Sequence, residues 1–298
     1  MKIKFKTFSD LKRQVSESGL GIGKFLIAYE ALNLNVPEEK VIERMQNTLS
    51  AMRGSIEAGL SHKNTSRTGF VNGWAKSMLD FSSNVENLLI SKEFTEIIFR
   101  TLAVSEMNAC MGRIVAAPTA GACGVLPGAL LTVADHKRIS EDKIIEALFV
   151  SGGIGEVIKN QASLSGSRHG CQAEIGSASS MTAGAIVSMF TDDVDTIESA
   201  AAFAMKNILG LVCDPIGGYV EIPCIKRNVA NTFNAISSAE MALAGIRTLI
   251  PFDEVIIAMK RIGETMPAAL KETGIGGIAG TPTAQLLLKK YKDDNRHN

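Results

Sequence analysis

Three short sequences in the stretch from residue 159 to residue 227 hold three of the chain's five cysteines. They are Gly170-Cys-Gln-Ala-Glu174, Val212-Cys-Asp-Pro215 and Pro223-Cys-Ile-Lys-Arg-Asn228. Thiolates are the usual protein ligands of iron–sulfur clusters. Cys213 lies 42 residues after Cys171, and Cys224 lies 11 residues after Cys213, which fits none of the compact ferredoxin or zinc spacings. Only tertiary folding can assemble such a ligand set, so the residues alone also allow three buried cysteines that act as small hydrophobic side chains.

Helix signals surround these sequences on both sides. A first helix is predicted from Ser9 as N-cap, and Pro37 followed by two glutamates predicts the start of another. Ser140 followed by acidic residues predicts a third start. Further helical patterns cover residues 85–110, 181–190, 197–209, 229–244 and 254–262, whereas 291–298 looks like a frayed tail. Since no stretch alternates with period two for long enough to build a sheet, we expect a mainly α fold.

One apolar stripe stands out in the helix after Pro37. Its members are spaced three or four residues apart: Val41, Met45, Leu49, Met52, Ile56 and Leu60. Such a stripe faces either the core of the chain or another subunit, and the sequence leaves both readings open.

Composition excludes several classes of function. Hydrophobic residues make up 46% of the 298 residues but aromatic ones only 5%, which favours closely packed helices. Lys plus Arg and Asp plus Glu both number 31, so the charge balance indicates neither nucleic-acid nor anionic-membrane binding. The N-terminus lacks the apolar region of a signal peptide, and no apolar run approaches the roughly 18 residues of a membrane helix. An odd number of cysteines then favours a reducing cytoplasm over a disulfide framework.

Six ordered motifs give the chain a family resemblance. They are Ala117-Pro-Thr-Ala-Gly-Ala-Cys-Gly124, Ser163-Leu-Ser-Gly166, Gly170-Cys-Gln-Ala-Glu-Ile-Gly176, Cys213-Asp-Pro-Ile-Gly-Gly218, Cys224-Ile-Lys-Arg-Asn228 and Glu272-Thr-Gly-Ile-Gly-Gly-Ile-Ala-Gly-Thr-Pro-Thr283. Over roughly the last two-thirds of the chain, this order resembles the catalytic α chain of bacterial iron–sulfur L-serine dehydratases. The resemblance implies one compact multi-helix domain over residues 1–298 with glycine-rich active-site loops. It also implies a 4Fe–4S cluster held by Cys171, Cys213 and Cys224.

The reaction implied by the resemblance is the deamination of L-serine to pyruvate and ammonia. It removes the Cα proton and expels the β-hydroxyl, which leaves readily only when a Lewis acid takes up its charge. An iron without its own thiolate would bind that hydroxyl. A β chain, or a fused β domain, supplies further active-site residues in this enzyme class, so we expect a hetero-oligomer with a β subunit.

Two segments are predicted to bind the substrate. The loop that contains Thr119, Ala120 and Gly121 presents free backbone amides ahead of a helix, which suits a carboxylate, although an ordinary turn is the alternative. Ser163, Ser165 and Gly166 belong to a second motif of the resemblance, and they complete the predicted substrate site.

Lys159 and Arg227 are the predicted catalytic residues. Lys159 and His169 are the titratable residues nearest the first cysteine, but His169 stands where the family has another residue, and the general base could belong to the β chain. Arg227 could bind a carboxylate, donate to a cluster sulfur, or form an ion pair with Asp214 or Glu221.

The two remaining cysteines are assigned lesser roles. Cys123, inside the glycine loop, is predicted as a spare thiol, and Cys110 as a small buried hydrophobic residue. Two other functions stay open at this point: a related cluster-dependent L-cysteine desulfidase, and a non-catalytic helical subunit whose cysteines bind structural zinc or no metal.

Overall fold

The computed structural model describes residues 4–61 and 63–294, and within these ranges its regular structure is helical. In chain order the helices are α1 (Phe8–Ser18), α2 (Ile22–Leu34), α3 (Glu38–Ser61), α4 (Trp74–Phe81), α5 (Lys92–Ala109), α6 (Thr132–Lys137), α7 (Glu141–Gln161), α8 (Gly166–His169), α9 (Cys171–Ser188), α10 (Val194–Lys206), α11 (Cys224–Leu243), α12 (Phe252–Thr265) and α13 (Pro282–Asp294). The β-type pairings of the described ranges are two isolated bridges, Thr65 with Asn72 and Cys213 with Lys271. The prediction of a mainly α fold is confirmed.

Helix α9 forms the centre of the molecule and packs against α7, α10 and α11. Every residue of α9 is buried except Glu174, which is only partly buried. Its small side chains let neighbouring helices approach closely: a Cβ at Gly184 would come within 2.2 Å of Ile154 on α7. The buried serine hydroxyls on α9 donate to backbone carbonyls, as in the 2.9 Å bond from Ser180 Oγ to Ala201 O. The position of the first residue of α9 is thereby fixed from several sides.

Helix starts follow local capping chemistry. Helix α3 begins directly after Pro37 and α7 directly after Ser140, as predicted. The predicted N-cap Ser9 is wrong: Thr7 is the N-cap, because its hydroxyl accepts a hydrogen bond from Asp10 N at 3.0 Å. Asp10 in turn accepts from the Thr7 amide at 3.3 Å, which completes a capping box.

The apolar stripe of α3 is core. Val41, Leu49, Met52 and Ile56 are buried, and α3 packs mainly against α5. Met45 and Leu60 are partly buried against the same core. These positions thus pack against the core of the chain itself.

The C-terminal part of the chain is more ordered than predicted. Helix α13 extends through Tyr291 to Asp294, and Tyr291 packs edge-on against Tyr219 with ring centroids 5.5 Å apart. The last four residues of the predicted tail lie outside the described residues. None of the described helices is long and apolar enough to cross a membrane. The assignment of residues 1–298 to one domain stays a prediction.

Candidate active site

Cys171 is the first residue of α9, and Gln172 fixes its surroundings. Gly170 precedes it with φ 78°, a left-handed conformation that glycine adopts without strain. Gln172 Nε2 donates to Met259 O at 2.9 Å, and Gln172 Oε1 accepts from Gly210 N at 2.8 Å. The amide side chain therefore ties the start of α9 both to α12 and to the loop that leads to Cys213.

Cys213 is held by the segment around Lys271. Its amide donates to Leu270 O at 2.9 Å, and its carbonyl accepts from Glu272 N at 2.6 Å. The next residue, Asp214, accepts a 2.7 Å hydrogen bond from Ile278 N. A distant part of the sequence is thus brought against the second cysteine, and it carries Glu272 with it.

Cys224 is the first residue of α11, and Asn228 connects it to the glycine loop. Asn228 Nδ2 donates to Cys224 O at 3.0 Å and to Gly121 O at 2.8 Å. Asn228 Oδ1 accepts from Gly124 N at 3.0 Å. This buried amide explains why the sequence Cys-Ile-Lys-Arg-Asn needs asparagine one helical turn after the cysteine.

The three predicted ligand cysteines are brought together. All three are buried free thiols. Burial raises the pKa of Cys171 and of Cys224 to about 12, and it raises the pKa of Cys213 strongly, with the neighbouring Cys171 and Cys224 adding to the effect. Within the described ranges, no three His, Cys, Asp or Glu side chains are arranged around a single metal ion. The thiols of a cluster bind separate irons, so they need not converge within bonding distance of one atom.

Arg227 lies between two of the cysteine segments. Its side chain hydrogen-bonds Cys171, and its Nη1 donates to Val212 O at 2.9 Å. The same nitrogen lies 2.7 Å from Asp214 Oδ1, and this ion pair has no aligned hydrogen bond. Of the open interpretations of Arg227, the structure supports the ion pair with Asp214. The contact with Cys171 was not predicted.

A cavity of about 460 Å³ opens beside Gly166, the neighbour of Cys213. Ten residues line it: Thr119, Lys159, Ala162, Ser163, Leu164, Ser165, Gly166, Arg168, Glu174 and Glu272. Five of them are predicted site residues: Thr119, Lys159, Ser163, Ser165 and Gly166. Lys159 is exposed to solvent. Ala120 and Gly121 are not in the lining, and Arg227 lies outside it as well.

Gly166 connects the cavity to the cysteines. A Cβ at this position would come 2.7 Å from Cys213 Sγ and 3.5 Å from Glu174 Oε2. The thiol and the carboxylate therefore flank the same point of the backbone, at the floor of the cavity.

Glu174 is a cavity residue that was not predicted from the sequence. It accepts a 2.5 Å hydrogen bond from Thr119 Oγ1, and a Cβ at Gly121 would come 2.7 Å from its Oε1. Burial raises its pKa, an effect that the Thr119 hydrogen bond partly offsets and Glu272 reinforces. The signal was present in the sequence, because Glu174 follows Cys171 by three residues and so shares its face of a helix.

The other candidate side chains lie elsewhere. His169 is buried against Gly263 of α12, its Nδ1 has no described partner, and burial lowers its pKa. Cys123 Sγ points at Val104 O, 3.8 Å away, and the residue packs into the main hydrophobic core, so the structure does not support it as a spare thiol. Cys110 is only partly buried at the end of α5, contrary to the prediction.

The family model of serine dehydratase alpha chains matches residues 17–279. The chain belongs to this family. A probable L-serine dehydratase alpha chain of Bacillus subtilis (strain 168) is 42% identical over 286 residues, which cover 96% of this chain and 95% of that relative. The L-serine dehydratase alpha chain of Peptoniphilus asaccharolyticus is 37% identical, covering 93% and 94%. An L-serine dehydratase of Streptomyces coelicolor is 34% identical over 94% of this chain, but only 61% of that relative is covered. All the site residues described for this serine dehydratase alpha chain lie within residues 17–279, the part that matches the family model.

Proposed function

We propose that the protein is the catalytic α chain of an L-serine ammonia-lyase that deaminates L-serine to pyruvate and ammonia. The observation that carries this proposal is a set of three buried thiols from three separate segments, one of which, Cys213, lies against the cavity residue Gly166. Relatives that align over nearly their whole length are named L-serine dehydratase alpha chains. Three thiols alone would suit several kinds of metal site. The choice of L-serine deamination among them comes from the relatives.

The residues present fit a 4Fe–4S cluster. Cys171, Cys213 and Cys224 supply three thiolates, and no disulfide competes for them. Gly166 keeps side-chain atoms away from Cys213 Sγ, because a Cβ there would come within 2.7 Å. When bound, such a cluster supplies a Lewis acid for the departing β-hydroxyl. Since iron binds thiolates, loading must remove protons whose pKa is raised by burial.

The chain's own residues would bind and orient the substrate. Thr119, Ser163, Ser165 and Gly166 line the cavity, and we assign them to substrate binding. Ala120 and Gly121 lie behind them, and we assign to these two residues the positioning of Thr119. We assign Lys159, at the exposed rim, to proton transfer at Cα.

Arg227 acts from behind the cavity. Its contacts with Cys171 and with the segment after Cys213 would hold two ligand-bearing elements in fixed relation. Its proposed contribution to catalysis is therefore made through the cysteines.

A β subunit would complete the enzyme. Relatives of this length are named alpha chains, and the longer Streptomyces coelicolor relative extends well beyond the aligned region. We propose a hetero-oligomer with such a β chain. The five free cysteines and the cluster would both persist in a reducing cytoplasm.

The decisive experiment is an assay of pyruvate from L-serine after anaerobic purification and iron–sulfide reconstitution, with and without a β chain. We expect a brown protein whose turnover requires the β chain. A colourless protein with stoichiometric zinc and no turnover would overturn the proposal in favour of a structural metal. Release of sulfide from L-cysteine at a higher kcat/KM than deamination of L-serine would instead identify a desulfidase.

A further inference from the structure

Glu174 is a largely enclosed carboxylate without a positive partner. It is the one residue of α9 that is not fully buried, and the surface that it exposes faces the cavity. Among the described residues its side chain forms no ion pair, and the hydrogen bond from Thr119 is the one side-chain contact that satisfies it. A carboxylate removed from water is stabilised by a nearby cation, so this position favours a positively charged group of a ligand.

The charges around the cavity are arranged by depth. Arg168 is exposed at its rim, whereas Glu174 lies beside Gly166, on the side of Cys213. Glu272, also in the lining, adds a second negative charge. This arrangement complements an α-amino acid whose ammonium points inward and whose carboxylate points outward.

The glycine loop agrees with that orientation. Because Glu174 Oε1 would lie 2.7 Å from a Cβ at Gly121, the carboxylate occupies the space in front of the loop. A substrate carboxylate bound at the loop amides would meet Glu174 at close range, and like charges repel there. The loop is thus better suited to hold Thr119, and through it Glu174, than to bind the carboxylate of the substrate.

We propose that Glu174, held by Thr119, binds the α-ammonium group of the substrate and thereby selects amino acids over hydroxy acids. The proposal rests on the proposed function, since it names how the same cavity recognises L-serine.

The test compares L-serine with L-glycerate, in which a hydroxyl replaces the ammonium. The reconstituted chain is assayed together with its β chain, and the inhibition constant of L-glycerate is measured against L-serine turnover. In the wild type we expect L-glycerate to bind at least about tenfold more weakly than L-serine, a difference of about 1.4 kcal/mol. In Glu174→Gln we expect KM for L-serine to rise at least about tenfold, with a smaller change in kcat, so that the preference over L-glycerate shrinks.

Two further variants separate recognition from structure. Glu174→Asp keeps the charge and should recover part of the affinity. Glu198→Gln is the matched control, because Glu198 is another partly buried carboxylate whose pKa is raised by burial. It accepts a hydrogen bond from Phe252 N, and neither residue lines the cavity. Its kinetic constants should match those of the wild type.

The outcomes distinguish this proposal from the proposed function. A wild type that never deaminates L-serine refutes the function itself. A wild type that deaminates L-serine but binds L-glycerate equally well refutes the role of Glu174, and this comparison holds even if the Glu174→Gln variant does not fold. A variant with unchanged KM and a collapsed kcat would also overturn it, by showing that Glu174 transfers a proton.

Discussion

Arg227 Nη1 lies 2.7 Å from Oδ1 of Asp214, and this ion pair joins the segment that follows Cys213 to the helix that begins at Cys224. The Asp214 side chain is only 2% exposed. Removing one partner of a buried pair leaves the other charge uncompensated, which costs about 3–5 kcal/mol. We therefore expect Arg227→Met to lower the free energy of unfolding by about 3 kcal/mol and to reduce the iron content of the purified protein.

A double-mutant cycle measured by urea unfolding checks this prediction. The combined Asp214→Asn, Arg227→Met variant should recover part of the loss, because it leaves no unpaired charge. Additive effects of the two single substitutions would show that the residues do not interact.

Gly166 offers a second prediction, about space. A Cβ there would come 2.7 Å from Cys213 Sγ, so Gly166→Ala must displace the thiol or the backbone. We expect the variant to fold but to bind the cluster about tenfold more weakly. After desalting it should therefore retain well under half of the iron and sulfide that the wild type retains.

Gly152→Ala provides the control for this substitution. Gly152 is exposed within α7, and a Cβ there would meet nothing within 4 Å. Alanine should stabilise the helix by up to about 1 kcal/mol and leave iron retention unchanged. Equal iron retention by the two alanine variants would contradict the close approach of Gly166 to Cys213.

The sequence predicted the helical class, but it could not place α9, the helix that begins at Cys171. Most of residues 171–180 of α9 are small, and all but Glu174 are buried, so they lack the apolar periodicity that revealed α3. The periodic pattern predicts a helix only from residue 181, whereas α9 begins at Cys171. Burial from all sides is a property of the packed tertiary structure and leaves no one-sided pattern.

The residues of the site also differ in whether local sequence or long-range contacts place them there. Motifs located Thr119, Ser163 and Gly166, because their resemblance to a family is carried by local sequence. Glu272 also belongs to a motif, but it was not identified as a site residue, because it reaches the cavity through the long-range pairing of Cys213 with Lys271. No local pattern encodes that pairing.

Asp135 gives a prediction about pH. Partial burial alone would raise the pKa of Asp135, but hydrogen bonds from Arg100 (2.6 Å) and Arg53 (3.2 Å) outweigh it and hold the pKa below the usual 3.8. A carboxyl group whose pKa is lowered by folding stabilises the folded protein at any pH above its unfolded-state pKa. This contribution is lost as the pH falls through the pKa of the folded state. Because these groups are partly exposed, Asp135→Asn should cost only about 0.5–1 kcal/mol at pH 6.

Urea unfolding of both proteins at pH 6 and pH 3 measures the effect. The difference between wild type and variant should shrink at pH 3, and also in high salt. A difference that grows on acidification would have the wrong sign for this ion-pair network.

The most direct test of the central claim is the iron and acid-labile sulfide content of single cysteine variants, reconstituted anaerobically and paired with their pyruvate-forming activity. Cys171→Ser, Cys213→Ser and Cys224→Ser should each lose the stable cluster and the activity together, because each removes one of the three thiolates. Cys110→Ser should keep both, since Cys110 lies at the end of α5, away from the cavity. A Cys213→Ser protein with a full complement of iron and sulfide would contradict the account.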